Sequence, residues 1–252
     1  MKNKLLSLVF FSLTTSMVHA GFISEDFNTG LPAGATLYGN ASVTGNEVAL
    51  TPASQSQHGA LSFTDQDSGA AIDSWSAAFD FRMDLGGGVN GADGISLSFS
   101  RLGNVGFSGL AHGVAEEGSN TGIAIGFDTW NNGGIDNNSG NHLSLRYDGA
   151  LLALIDIPAF QLNDAIMRNA IISMTNGLLD VSINGQSFIN HTIVGWSAYA
   201  GQFTFAGRTG AATNRQIIDN FTGSTTSQVP APNPLLLIGL GMLALSVTRK
   251  KK

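Results

Sequence analysis

The sequence predicts a single all-β domain folded as an antiparallel β-sandwich. Apolar and polar residues alternate with a period of two, as along Trp75–Leu85, and no segment between the two chain ends sustains the 3.6-residue period of an amphipathic helix. Three dipeptides typical of tight hairpins separate the alternating runs: Asp148-Gly149, Asn176-Gly177 and Asn184-Gly185. Short strands separated at such regular intervals indicate a sandwich or a barrel, and we find no second domain or repeat.

The alternating runs assign the strands in order. After Trp75–Leu85, the next strands are predicted at Ile95–Phe99, Ile123–Phe127 and Leu143–Tyr147. The stretch Ile171–Ile189 contains two of the hairpin dipeptides and therefore predicts a meander of three strands. The one helical candidate is a turn near Asn163–Arg168.

The first twenty residues have the pattern of a secretory signal peptide. Lys2 and Lys4 precede the apolar run Leu5–Phe11, and Val18-His19-Ala20 offers a cleavage site between small residues. The alternative is a transmembrane helix, but the apolar run is too short and is followed by several hydroxyl residues. We therefore expect residues 1–20 to be removed and the chain to be secreted.

The C-terminal end also has the composition of a processing segment. Pro230-Ala231-Pro232 is followed by the apolar run Leu235–Val247 and a basic end, Arg249–Lys252. This order resembles the PEP-CTERM sorting signal of exported Gram-negative proteins, with alanine in place of the signal's glutamate. The resemblance implies an export and sorting machinery as a partner and a cell-surface location. We assign residues 225–252 to a linker and this segment; a plain membrane anchor, retained or transient, is the alternative.

Charge and cysteine content exclude several classes of function. Six of the twelve basic residues lie in the two end segments, whereas all eighteen acidic residues lie between them, so the central region has a net charge of −12. Such a surface repels nucleic acid. Fourteen of the acids are Asp, a residue that favours turns and oxygen-rich cation sites. The chain has no cysteine, which excludes disulfides and thiolate chemistry.

Three motifs occur in order along the central region. They are Gly91-Ala-Asp-Gly94, Phe127–Asp136 with His142 beyond it, and Phe205–Gly210. Together they resemble the legume-type (L-type) lectins, and bacterial members of the concanavalin A-like group in particular. The resemblance implies a concanavalin A-like jelly roll over residues 21–224 and non-catalytic binding of a glycan or exopolysaccharide.

The second motif places oxygen ligands at regular intervals. Asp128, Asn132 and Asp136 follow at four-residue steps, and the glycines between them disfavour a helix. In a loop, these side chains and the Trp130 carbonyl could converge on one Ca²⁺ ion, or they could form a solvated turn rich in Asp and Asn. The resemblance favours the calcium site.

A second metal site is not expected. Legume lectins bind a transition metal beside the calcium through a Glu, and Gly126 stands at the matching position. His142 matches the family's histidine, but without that carboxylate we interpret it as a polar strand residue.

The sugar site is assigned through the first and third motifs. Asp93 shares parity with Ile95, which directs it inward from a strand edge. The resemblance implies that Asp93 accepts hydrogen bonds from sugar hydroxyls, and that the Ala92–Asp93 bond is cis; an ordinary turn Asp is the alternative. It also assigns sugar contacts to Asn132 and to the loop residues Arg208, Thr209 and Gly210. Arg208 hints at an acidic sugar, although pairing with a neighbouring Asp is the stronger interpretation.

Catalysis is not expected. Glucanases of this fold place two or three carboxylates, mostly Glu, at alternate positions of one strand. The only four Glu residues of this chain are dispersed: Glu25, Glu47, Glu116 and Glu117. The histidines show neither catalytic-triad nor zinc spacing. The remaining alternative to a lectin is a structural or adhesion protein of the extracellular matrix with a vestigial sugar site.

Overall fold

Two antiparallel sheets form the molecule. The structure is a computed structural model that describes residues 18–85, 91–105 and 115–228. Within them lie sixteen strands: β1 (Val18–His19), β2 (Phe22–Glu25), β3 (Ala35–Gly39), β4 (Ser42–Thr44), β5 (Glu47–Thr51), β6 (His58–Phe63), β7 (Ser74–Leu85), β8 (Gly94–Arg101), β9 (Ile123–Asp128), β10 (His142–Tyr147), β11 (Ala150–Asp156), β12 (Arg168–Thr175), β13 (Leu178–Ile183), β14 (Gln186–Thr192), β15 (Gly201–Arg208) and β16 (Asn214–Gln228). Two short 3-10 helices span Ala115–Glu117 and Gly133–Asp136.

The strand order is that of a jelly roll. One sheet runs β14-β13-β12-β7-β16-β5-β4, and β2 also pairs with β16; the other sheet runs β11-β10-β9-β8-β15-β6-β3. Residues Ala20–Ser227 form one compact unit. The predicted all-β, single-domain sandwich is therefore confirmed.

Aromatic side chains from the two sheets meet in the core between them. The Phe79 ring, on β7, lies 5.9 Å from the Phe127 ring and 4.9 Å from the Phe205 ring, measured between centroids. Trp75 stacks on Phe99 across the same interface at 5.3 Å. These side chains are almost fully buried, as the parity of β7 predicts. Burial of this apolar area is what stabilises a domain without disulfides.

The hairpin predictions are also confirmed. Ile171–Ile189 falls in three consecutive antiparallel strands, β12, β13 and β14. The turn between the first two has Asn176 and Gly177 in left-handed backbone conformations, with φ angles of 49° and 89°. Two consecutive residues of this kind form the two-residue turn that matches the twist of paired strands.

The predicted helical turn near Asn163–Arg168 is wrong. The segment forms turns and bends, and Ala165 has a φ of 64°, which an α-helix does not allow. The Asp164 carboxylate accepts a hydrogen bond from the Ile166 backbone N–H at 3.1 Å and pairs with Arg168 at 2.6 Å. Such local side-chain bonds compete with helical ones.

The last strand continues beyond residue 224, which is the predicted C-terminal end of the sandwich. β16 runs to Gln228, and Thr225 and Thr226 pair with Trp75 and Ser74. Thr225 is buried, which holds this end of the strand within the domain. The predicted sorting segment from Val229 onward lies outside the described residues, as does most of the predicted signal peptide. None of the described segments forms a helix with the length and apolar character needed to span a membrane.

Candidate metal and ligand site

The strand register brings the three sequence motifs side by side. They meet at the ends of neighbouring strands in the sheet that contains β8, β9, β10 and β15. Arg208 at the end of β15 is paired with Gly94 at the start of β8, and Gly94 is paired with Asp128 at the end of β9. Asp128 is in turn paired with His142 at the start of β10. Residues more than a hundred positions apart therefore form one continuous row across four neighbouring strands.

Three potential metal ligands converge next to this row. The ligand atoms of Asp128, Asp136 and His142 lie within 4.8 Å of one another, and all three side chains are buried. The loop is fixed by its own backbone: the Trp130 N–H donates to Asp128 Oδ1 at 2.6 Å, and the Asn132 N–H donates to Asp136 Oδ2, also at 2.6 Å. The 3-10 helix Gly133–Asp136 carries Asp136 back towards β9.

The donor set fits a divalent cation. Burial, followed by the charges of neighbouring carboxylates, raises the pKa of Asp128 to about 8, so its ionised form is disfavoured unless a cation compensates it. The His142 ring is inaccessible to solvent, and apart from a weak interaction with the Ser139 backbone neither of its nitrogens is hydrogen-bonded among the described residues. Buried polar groups are normally satisfied, and a cation between the two carboxylates and the imidazole would satisfy these.

His142 therefore has a different environment from the one expected. It is a wholly buried member of the ligand group, with Nε2 3.8 Å from Asp128 Oδ2, rather than an ordinary polar strand residue. Burial lowers its pKa, which favours the neutral imidazole that metals bind. Sequence analysis identified His142 as a candidate residue but did not predict its burial.

Gly126 is closely packed at the point where a side chain would stand. A Cβ atom at this position would lie 2.6 Å from the Glu116 carbonyl oxygen and 2.5 Å from the Ser144 hydroxyl. Both contacts are closer than real Cβ atoms allow, so the 3-10 helix Ala115–Glu117 leaves no room for any side chain.

Asp93 is hydrogen-bonded directly to the metal loop, which is the segment Asp128–Asp136. The Ala92–Asp93 peptide bond is cis, as expected. The Asp93 carbonyl oxygen accepts hydrogen bonds from the Thr129 N–H and from the Thr129 hydroxyl, both at 2.8 Å. On its other side, the Asp93 N–H donates to the Arg208 carbonyl oxygen at 2.9 Å. Burial raises the pKa of Asp93, against the attraction of the Arg208 guanidinium.

Arg208 is engaged by carboxylates of the protein itself. Its guanidinium lies 2.9 Å from Asp93 Oδ2 and binds Glu116 through two hydrogen bonds of 2.9 and 2.6 Å. The stronger of the two sequence interpretations, pairing with a neighbouring Asp, is confirmed, and Glu116 is added to it. A guanidinium held in this way is not free to bind the carboxylate of an acidic sugar.

Thr209 and Gly210, the other two predicted sugar-contact residues of the third motif, differ from each other in their surroundings. A Cβ atom on Gly210 would lie 3.2 and 3.3 Å from the two Asp93 carboxylate oxygens, so Gly210 is adjacent to the candidate sugar ligand. Thr209 is buried, and its hydroxyl donates to the Ser54 carbonyl oxygen at 2.6 Å and accepts from the Gln57 N–H at 3.0 Å. The structure thus gives the Thr209 side chain a role in holding the loop.

Sequence reasoning missed the acidic pair that covers this end of the sheet. Glu116 and Glu117 are buried, and Glu117 binds Arg146 at 2.7 Å and the Ser144 hydroxyl at 3.0 Å. A cavity of about 430 Å³ is lined by this pair and by three predicted site residues, Asn132, Asp136 and Arg208. Ile135 and Arg146 complete its lining. No local pattern marks the pair, because its burial depends on the packing of the 3-10 helix Ala115–Glu117 against β8 and β9.

The fold and the site define a class of protein: a jelly-roll β-sandwich with a buried cation-ligand group beside an inward-facing Asp. The legume-like lectin family matches residues 22–185, which is more than half of the chain, and the chain therefore belongs to that family. This is a family of carbohydrate-binding proteins and not of enzymes, in agreement with the absence of a Glu array from the sequence. No curated protein matches the chain.

Solved structures of lectins share the fold. The exoplasmic/lumenal domain of VIP36 in its Ca²⁺- and mannose-bound form is 19% identical, with a TM-score of 0.63 over 84% of this chain and 91% of that one. The winged bean acidic lectin in complex with methyl-α-D-galactose is 16% identical, with a TM-score of 0.65 over 84% and 100%. The Bauhinia forficata lectin in complex with GalNAc is 15% identical, with a TM-score of 0.64 over 85% and 99%.

Proposed function

We propose that this protein is a calcium-dependent lectin in which one Ca²⁺ ion organises the sugar site. Asp128, the Trp130 carbonyl, Asn132 and Asp136 would hold the ion, with His142 beside it. The observation that carries the proposal is the row of strand ends that places Asp93 next to Asp128. Support comes from the buried ligand group and from VIP36, which has been crystallised in a Ca²⁺-bound form.

The sugar would bind over Asp93. The Asp93 carboxylate accepts hydrogen bonds from sugar hydroxyls, and Asn132 and the backbone of Gly210 complete the polar contacts. Trp130 and Ile135 belong to the metal loop and are 37% and 74% exposed, so they offer apolar surface next to the polar groups. Sugar rings have apolar faces as well as hydroxyls, and sites of this mixed character fix them in orientation.

The charges at the site favour a neutral saccharide over an acidic one. Five carboxylates lie at or beside the cavity and its ligand group, namely those of Asp93, Glu116, Glu117, Asp128 and Asp136. Arg146 and Arg208 are the only guanidiniums lining the described part of this cavity, and both are already paired with carboxylates. A Ca²⁺ ion would reduce but not reverse the excess of negative charge. The three lectins compared above were crystallised with neutral sugars.

The proposed biological setting is based on the composition of the two end segments, residues 1–20 and 225–252. We propose that the protein is secreted or held at the surface of a Gram-negative bacterium, with its C-terminal segment addressed to the export machinery. Its partner would be a glycan or exopolysaccharide. Nucleic acid is not a suitable partner, because the central region has a net charge of −12.

The ion is tested first, by melting. We expect Ca²⁺ at 100 times its dissociation constant to stabilise the folded state by about 2.7 kcal/mol, which corresponds to several degrees in Tm. The Asp128→Asn variant should melt at the same temperature with calcium and with chelator. Asp26→Asn, which changes an exposed carboxylate just after β2, should respond like the wild type. A wild-type Tm that does not change on chelation would exclude the calcium site.

The sugar class is tested on an array of neutral saccharides, amino sugars and uronates, with calcium present. Retention on neutral saccharides that is lost in Asp93→Asn supports the proposal. Retention only on uronates would contradict the charge argument. No retention on any saccharide, by a protein that does bind calcium, would instead favour the matrix or adhesion protein with a vestigial sugar site.

A further inference from the structure

The carbonyl oxygen of Gly91, a buried residue two positions before the candidate sugar ligand, is within hydrogen-bonding distance of two side chains. Asn163 Nδ2 donates to it at 2.7 Å, and the Thr129 hydroxyl lies at 3.0 Å. The same hydroxyl is 2.8 Å from the Asp93 carbonyl oxygen. A hydroxyl group has one proton to donate, so Thr129 cannot serve both carbonyl oxygens in full. Asn163 relieves this competition, because it gives Gly91 a donor of its own.

The loop that carries this donor begins with an irregular segment, Ile157–Leu162, which follows β11. Both end residues of the segment are buried, so their backbone polar groups need partners within the protein. Asn141 provides these partners with one side chain. Its Nδ2 donates to the carbonyl oxygens of Ile157 and Phe160, both at 2.6 Å, and its Oδ1 accepts the Leu162 N–H at 2.8 Å. The conformation of the loop is therefore fixed by a residue on a different part of the chain.

A cleft separates this loop from the metal loop. It has a volume of about 350 Å³ and is lined by Thr129, Trp130, Asn131, Gly140, Gln161 and Asn163. Because the two loops do not pack closely at this point, hydrogen bonds rather than side-chain packing determine where Asn163 lies. The loss of one of these bonds beside an open cleft leaves room for the backbone to move.

We propose that Asn163 and Asn141 are positioning residues of the sugar site. Asn141 fixes the loop, and Asn163 takes the Gly91 carbonyl oxygen. The Thr129 proton is then available to the Asp93 carbonyl oxygen, so the segment that carries the sugar ligand is held in one arrangement. The inference rests on the proposed function, in which Asp93 binds the sugar.

The consequence is an effect on sugar affinity that is separate from calcium affinity. A protein whose binding-competent arrangement is only partly populated binds its ligand with an affinity reduced by that fraction. Without the Asn163 donor, the Thr129 proton is shared between two carbonyl oxygens and the segment before the sugar ligand gains freedom. The hydrogen bonds that fix Asp128 and Asp136 do not involve Asn163, so the cation-ligand group is unchanged.

The test compares Asn163→Ala with Asn104→Ala in the full chain. Asn104 is the matched control, because its carboxamide also donates to a backbone carbonyl oxygen, that of Arg101 at 3.3 Å, in another loop. The probes are mannose, methyl α-galactoside and N-acetylgalactosamine, the neutral sugars of the lectins compared above. Sugar affinity and Ca²⁺ affinity are both measured by titration.

We expect Asn163→Ala to bind sugar about fivefold more weakly, the factor that corresponds to one net hydrogen bond of about 1 kcal/mol. Its Ca²⁺ affinity should equal that of the wild type, and Asn104→Ala should keep both affinities. An unchanged sugar affinity in Asn163→Ala would overturn the inference and leave the proposed function intact. A parallel loss of Ca²⁺ affinity would also overturn it, since Asn163 would then be a general structural residue. A wild type that binds no neutral saccharide would remove the proposed function and this inference together.

The role of Asn141 is tested with Asn141→Leu, which keeps a similar shape but removes all three hydrogen bonds of the carboxamide. Sugar affinity should fall, and adding Asn163→Ala to this variant should have little further effect, because the two residues act by one route. A full additional loss in the double variant would contradict that route. Should Asn141→Leu fail to fold, the comparison of Asn163→Ala with Asn104→Ala decides alone.

Discussion

The Thr129 hydroxyl donates a hydrogen bond of 2.8 Å to the carbonyl oxygen of Asp93. It also reaches the Gly91 carbonyl oxygen at 3.0 Å, so one buried side chain of the metal loop holds both ends of the segment that carries the candidate sugar ligand. The two halves of the site are therefore joined by a side chain of the protein itself.

We predict that Thr129→Val weakens sugar binding more than it weakens the fold. Valine has the same shape but leaves two buried carbonyl oxygens without this donor, at a cost of about 1–2 kcal/mol. Thr175→Val, at an exposed position on β12, is the matched control. Urea unfolding and saccharide titration of both variants check this. Unchanged sugar affinity in a destabilised Thr129→Val protein would show that the link is structural only.

The ion pair between Arg208 and Glu116 is predicted to be strongly coupled. Arg208→Ala leaves Glu116, which is 2% exposed, as a buried and uncompensated carboxylate, and we expect a loss of about 3 kcal/mol. Glu116→Gln should cost less, because Arg208 keeps Asp93 as a partner. The double variant should be more stable than the sum of the single effects predicts. Strictly additive losses in denaturant unfolding would contradict the coupling.

Glu116 should also give the protein a characteristic pH dependence. Burial raises the pKa of Glu116 to about 7 in the folded state, from 4.5. Between these values the folded state binds more protons than the unfolded state, so the contribution of Glu116 to stability is fully present below about pH 4.5 and is lost as the pH rises through about 7.

The measurement is the difference in unfolding free energy between wild type and Glu116→Gln across pH 4 to 8, in chelator. This difference removes the titration of the other acids, which both proteins share. The wild type should lose stability relative to the variant as the pH increases. A difference that is constant, or that changes in the opposite direction, would show that Glu116 is ionised throughout.

Gly126→Ala is predicted to destabilise the domain, because the added Cβ atom would overlap the Glu116 carbonyl oxygen and the Ser144 hydroxyl. Overpacking of this kind costs about 1–3 kcal/mol. Gly134→Ala is the matched control, since no atom lies within 4 Å of its added Cβ. Thermal melting that shows the two variants to be equally stable would mean that the 3-10 helix Ala115–Glu117 can move away.

Local sequence patterns were sufficient for the strands and hairpins, because side-chain parity and turn dipeptides act over a few residues. The same holds for the convergence of Asp128 and Asp136, which are close in sequence and whose carboxylates lie together in the structure. The burial of Glu116 and its pairing with Arg208 could not be predicted in this way. They depend on how the 3-10 helix Ala115–Glu117 packs on the sheet, and Glu116 and Arg208 are 92 positions apart.

The measurement that tests the central claim most directly is the reversal of sugar retention by chelation. The full chain is passed over an immobilised neutral saccharide to which it binds, first with calcium, then with chelator, then with calcium restored. The account predicts retention, loss and recovery, with no retention of Asp128→Asn under any of these conditions. Retention that persists in chelator and in Asp128→Asn would contradict a calcium-organised site.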